Sequence, residues 1–131
     1  DAPSPTTLQP EAEWAFSVIE PLFSYVRVQT KNTRTTYDMI GHSGGAQFAH
    51  RFLWFKPQSR LHQLVVSAAG WYTLPDATVP FPYGLEQSVL ATSSLGQAFA
   101  KQVFVQVGTS DNSTTTTAIR RDSLANVQGA S

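Results

Sequence analysis

The run Tyr37-Asp38-Met39-Ile40-Gly41-His42-Ser43-Gly44-Gly45-Ala46-Gln47-Phe48 limits what this chain can fold into more than any other stretch. Thr35, Thr36, Tyr37, Met39 and Ile40 favour extended backbone, and a helical pattern opens at Gly44 and runs toward Pro57. Ser43 stands between the two, with Gly41 and Gly45 two positions away on either side. This G-x-S-x-G spacing describes a sharp strand-to-helix turn that lifts one hydroxyl clear of a sheet. Such a turn strains the backbone at the serine. Gly41 and Gly45 lack a Cβ, so strand and helix can approach closely across it. The N–H groups of the first helical turn have no partner within the helix, and that of Gly44 is the expected oxyanion donor. Ser43 is the candidate nucleophile. An ordinary glycine-rich turn fits the same five residues, so the flanking strand and helix patterns carry the assignment.

The chain of 131 residues is the size of one domain. Nine acids balance nine lysines and arginines, so nothing marks a surface for nucleic acid. No apolar run approaches the roughly 20 residues of a membrane span. The absence of cysteine excludes disulfides and thiolate metal sites but leaves the compartment open. Residues 1–9 read as loop or linker. Their opening, Asp1-Ala2-Pro3-Ser4-Pro5, lacks the pattern of a secretory signal and fits a mature terminus, a linker or a cut end.

Pro10, Glu11 and Glu13 predict a helix start, and Ala15, Val18, Ile19, Leu22 and Val26 mark one buried face, with a kink at Pro21. Trp14, Phe16 and Phe23 read as core. The helix after Ser43 carries Phe48, Phe52 and Phe55 at i, i+4 and i+7, with Leu53 and Trp54 widening its apolar surface. Residues 61–70 predict a second buried strand, and residues 71–84, with Pro75, Pro80 and Pro82, an irregular excursion. A weaker helical segment spans about 87–100, and residues 101–108 form a third strand. The last helix is expected over residues 117–128, with Ile119, Leu124 and Val127 apolar. Strands alternating with helices imply a parallel sheet, whose sites form at the C-terminal strand ends. Ser43, Trp71-Tyr72 and the loop carrying Asp111 all fall at that edge.

The chain resembles the central part of an α/β-hydrolase over residues 10–128. More narrowly, Gly41-His42-Ser43-Gly44-Gly45-Ala46-Gln47-Phe48-Ala49-His50-Arg51-Phe52, with Gly70-Trp71-Tyr72-Thr73-Leu74-Pro75 and Pro80-Phe81-Pro82-Tyr83-Gly84, resembles bacterial esterases related to polyester depolymerases and feruloyl-type esterases. The resemblance implies a serine esterase with Ser43 as nucleophile, Asp111 as the acid that orients a histidine, and the Gly44 N–H in the oxyanion hole. It implies a small-molecule or polymeric ester substrate and no cofactor. It also implies that residues 10–131 are a partial domain, without the family's early strands and without its late histidine segment.

No histidine follows Asp111. His50 lies seven residues along the elbow helix, roughly 10 Å from Ser43. His62 opens a strand at the opposite sheet edge, about 20 Å away. His42 occupies an elbow position that packs sideways, so all three read as structural, and none has a metal-ligand spacing. An isolated serine hydroxyl is a weak nucleophile, and three parallel strands alone leave open edges. The expectation is therefore an additional protein segment or chain that completes the sheet and the triad. A non-catalytic binding or assembly module on the same scaffold is the competing reading. Asp76 is a rival acid, and Asp38 reads as structural. Trp71 and Tyr72 line a substrate pocket or simply pack. Asn112-Ser113-Thr114 matches a glycosylation sequon, and Arg120-Arg121 a solvated helix face.

Overall fold

Three short apolar strands, β1 (Tyr37–His42), β2 (Leu61–Ser67) and β3 (Gln102–Gln106), pair in parallel in the order β1-β2-β3. They belong to a computed structural model that describes residues 10–86, 88, 90 and 95–111. The helix expected over 117–128, the sequon, and Arg120 and Arg121 lie outside the described residues.

The pairing register divides the sheet into two unlike faces, because successive side chains point to opposite sides. Met39 pairs with Leu64 and Leu64 with Val103, while Gly41 pairs with Val66 and Val66 with Val105. These rows face the core. Helix α2 (Gly44–Phe55) lies on them with Ala46, Ala49, Phe52 and Leu53 inward, all fully or almost fully buried. Phe52 buries its whole side chain, which stabilises the fold by roughly 1.5–3 kcal/mol. The short helix α3 (Leu95–Phe99) joins the same core through Ala98, and Phe99 meets Trp54 edge to face at 5.7 Å.

The N-terminal segment departs from the expected single kinked helix. Two 3₁₀ turns, Glu11–Glu13 and Ala15–Val18, precede helix α1 (Ile19–Thr30). Pro21 sits in the first turn of α1, where its missing N–H has no helical acceptor to lose, so it marks a beginning rather than a kink. The buried face also differs. Val18, Leu22 and Val26 are 59%, 52% and 44% exposed, so of the expected face only Ile19 packs on the core, beside Phe16 and with Phe23 on Tyr37, both read as core from the sequence. Phe16 packs on Phe48, Phe52 and Phe55, while Trp14 meets Phe55 edge to face.

A polar knot ties α1 to the sheet. Tyr37 Oη donates to Glu20 Oε1 at 2.7 Å, and Arg60 donates through Nε to Glu20 Oε2 at 2.6 Å. Burial pulls the Glu20 carboxyl up, but the hydrogen bonds from Tyr37 and Arg60 outweigh it and hold the group below its ordinary value. Burial and the Glu20 carboxylate push the Tyr37 hydroxyl well up.

β2 stops at Ser67 rather than at residue 70, because Ala68 adopts a left-handed conformation with φ 48°. The irregular excursion that follows, expected from its prolines, is fastened to α2 at Thr73. The Thr73 N–H donates to His50 Nε2 at 2.9 Å, and Trp54 Nε1 donates to the Thr73 carbonyl at 3.0 Å. His50 and Trp54 are i and i+4 on α2, so one helix face holds both backbone polar groups of one residue. The Thr73 hydroxyl donates to the Pro82 carbonyl at 2.7 Å, closing the excursion on itself. Of the helix expected over about 87–100, only Leu95–Phe99 is helical among the described residues, and Ser88 and Leu90 are not.

His50 works here only in its neutral form, with Nδ1 bonded to the Ala46 carbonyl at 2.8 Å and Nε2 accepting. Burial pushes its pKa down to about 4, against the small upward pull of the Ala46 hydrogen bond. A group whose folded pKa is depressed contributes stability that is lost as pH falls from the unfolded value through the folded one. Urea unfolding of the chain should therefore weaken between about pH 6.5 and pH 4, by on the order of 3 kcal/mol more than in His50→Gln. Parallel pH profiles for the two proteins would contradict this.

Candidate active site

The candidate site begins where β1 meets α2. The β1–β2 ladder runs one residue beyond the strand, with the Ser43 N–H donating to the Ser67 carbonyl at 2.9 Å. Ser43 then turns the chain at φ 53° and ψ −120°, a conformation that L side chains rarely adopt. Its carbonyl accepts the first helical hydrogen bonds, from Ala46 N at 3.0 Å and Gln47 N at 3.1 Å. The side chain is exposed, and no described residue hydrogen-bonds it.

The crowding that enforces this turn is one-sided. A Cβ on Gly41 would collide with the backbone of Gly45 and stand 2.7 Å from the Ala46 nitrogen. At Gly45 a Cβ would meet nothing within 4 Å. The sequence pattern treats the two glycines alike, and the structure requires only the first for close approach. Gly44 opens α2 with its N–H in the unpaired first turn, beside the Ser43 side chain. That placement suits a developing negative charge.

Asp111 lies past the end of β3, in a turn closed by its own N–H donating to the Gly108 carbonyl at 3.0 Å. Its carboxylate is exposed and has no partner among the described residues. β1 and β3 flank β2 in parallel, so the strand ends that lead to Ser43 and to the turn of Asp111 leave the same sheet edge two strand spacings apart, about 10 Å. Asp76, the rival acid, is differently engaged. Its Oδ1 accepts from both the hydroxyl and the N–H of Thr78, at 2.7 and 2.8 Å, and these bonds hold it below the usual carboxylate range.

Trp71 and Tyr72 are engaged with α2. Both pack against the side of α2, Tyr72 with its ring 5.2 Å from His50 and Trp71 beneath the Arg51 guanidinium at 5.3 Å. Phe81 contacts the same guanidinium at 5.2 Å, so Arg51 is held between two rings. Tyr72 also lines a cavity of about 540 Å³ with Leu53, Trp54, Val66, Phe99 and Val105; Trp71 does not.

The three histidines sit away from the serine hydroxyl. His42 reaches sideways to Ser67 Oγ at 3.4 Å, and His62 pairs with Asp38 at 3.2 Å. His50 is buried beneath the excursion, a role that sequence spacing alone did not disclose. Its signal was the i, i+4 pair with Trp54 on an otherwise apolar helix. Among the described residues no group of three or more potential ligands is placed to hold a metal ion. No helix of the described residues is long and apolar enough to cross a membrane.

The fold is that of a partial α/β-hydrolase, and the chain is similar to two solved hydrolases. Over 95% of its length the chain matches 47% of poly(aspartic acid) hydrolase-1 from Sphingomonas sp. KT-1, with 36% identity and a TM-score of 0.87. It matches 42% of LpqC, a poly(3-hydroxybutyrate) depolymerase from Bordetella parapertussis, with 25% identity and a TM-score of 0.80. The chain thus spans less than half the length of either. No family model and no curated protein matches it.

The asymmetry at the turn makes a paired prediction. Gly41→Ala should lower unfolding free energy by about 1–3 kcal/mol through backbone overpacking, whereas Gly45→Ala should change it by less than about 1 kcal/mol. Urea denaturation of both variants checks this, and equal effects would contradict it.

Proposed function

We propose that this chain is the nucleophile-bearing part of a serine hydrolase that acts on carboxylic esters. The observation that carries the reading is the strained, exposed Ser43 at the apex between β1 and α2. Ser43 Oγ attacks the ester carbonyl, and the Gly44 N–H donates to the oxyanion that forms. A histidine outside this chain takes the serine proton and passes it to the departing alkoxide. The resulting acyl-enzyme is then hydrolysed by water, which that histidine activates. Asp111 orients the imidazole. The separation of about 10 Å between the two strand ends leaves room for a ring hydrogen-bonded at both nitrogens. The unengaged Asp111 carboxylate supports this choice over Asp76.

The names of the similar structures, a polyester depolymerase and a poly(aspartic acid) hydrolase, support hydrolysis of an acyl bond in a polymer or a related small molecule. The same elbow serves amide and thioester chemistry, and the ester assignment follows the family resemblance. One observation favours the competing reading of a non-catalytic binding module: among the described residues no base reaches Ser43.

In the complete gene product, Ser43→Ala should lower p-nitrophenyl ester turnover by on the order of 10³-fold or more and abolish labelling by a fluorophosphonate probe. Turnover unchanged by the substitution would reject the assignment. An intact protein that neither turns over ester nor takes the probe would favour the binding module.

A further inference from the structure

The end of β2 and the first turn of α2 meet at one side chain that the mechanism above leaves unused. Gln47 lies one turn from Ser43, its N–H donating to the Ser43 carbonyl at 3.1 Å. Its side chain is half-buried and reaches the chain leaving β2, where a Cβ on Gly70 would stand 3.1 Å from Gln47 Nε2. Two residues earlier, Ala68 holds a left-handed backbone at φ 48°, which disfavours any residue with a Cβ. Backbone strain of this kind clusters at functional sites. The Gln47 amide carries two N–H donors and one carbonyl acceptor, and it hydrogen-bonds no described residue.

We propose that Gln47 Nε2 donates a hydrogen bond to the alcohol half of the ester and so selects esters whose alcohol carries a carbonyl of its own. The inference rests on the preceding reading of Ser43 and Asp111, and it follows from where the leaving group must go. β2 lies between β1 and β3, so an imidazole bonded to both Ser43 and Asp111 stands over the end of β2. When the bond between the acyl carbon and the alcohol oxygen breaks, the imidazolium gives its proton to the departing alkoxide. The alcohol therefore leaves on the β2 side, which Gln47 and Gly70 flank. An alcohol with a carbonyl a few bonds beyond its oxygen, as in an ester of a hydroxy acid, brings an acceptor to that side. A plain alkyl alcohol brings none, and the amide is left to water.

Two esters with one acyl group test this in the complete gene product. Methyl 3-(butanoyloxy)propanoate carries a carbonyl in its alcohol half, and pentyl butanoate has an alcohol half of matching length without one. Released butanoate is measured for both. Gln47→Met keeps the side-chain length and removes the donor. It should lower the ratio of kcat/KM for the first ester to that for the second by about fivefold, the worth of one neutral hydrogen bond. Gln47→Glu keeps the shape and puts an acceptor in the donor's place, so the ratio should fall at least as far. Circular dichroism verifies folding, and two substitutions keep the comparison if one variant does not fold. A side chain that only braces the Gly70 loop would cost both esters equally. An unchanged ratio in a folded variant that still takes a fluorophosphonate probe would overturn this inference alone. A gene product that takes no probe and cleaves neither ester would overturn the preceding reading with it.

Discussion

The contact between Gly41 and the backbone of Gly45 and Ala46 governs the candidate site. Because no side chain intervenes, α2 begins directly against the last turn of β1, and the single residue between them has to reverse direction. Ser43 meets that demand with a positive φ, while its N–H stays in the ladder and its carbonyl starts the helix. Both backbone groups are committed, so the hydroxyl is the only polar group left to face solvent. The strain is held by the buried core beneath, where Phe52, Leu53, Leu64 and Val66 fix α2 to the sheet.

A second fastening sets the surroundings. The backbone N–H and carbonyl of Thr73 are held by His50 and Trp54, and Arg51 is held between Trp71 and Phe81. The helix that presents the serine therefore also positions the long excursion after β2. Trp71 and Tyr72 pack at that joint.

Much of this was legible in the sequence where the cause is local. The strand-to-helix turn at Ser43, the three strands and their parallel arrangement follow from glycine placement and from apolar runs broken by turns. What failed was partner assignment. The helical spacing of Val18, Leu22 and Val26 reveals an apolar stripe but not what lies opposite it, and these three are exposed while Ile19, Phe16 and Phe23 pack inward as read from the sequence. Gly45 looked equivalent to Gly41 because spacing carries no information about which Cβ direction is occupied. The role of His50 depends on a carbonyl four residues back and a peptide 23 residues on, and only the first is local. The bonds that Thr78 makes to Asp76 Oδ1 became visible only in the structure.

A crystal structure of the complete gene product measures the central claim most directly. The account predicts residue 43 with φ near +53° and its hydroxyl within about 3 Å of an imidazole nitrogen from outside these 131 residues, that ring bonded in turn to Asp111. A helical φ at residue 43, or a hydroxyl turned beneath the sheet with no imidazole between it and Asp111, would contradict it.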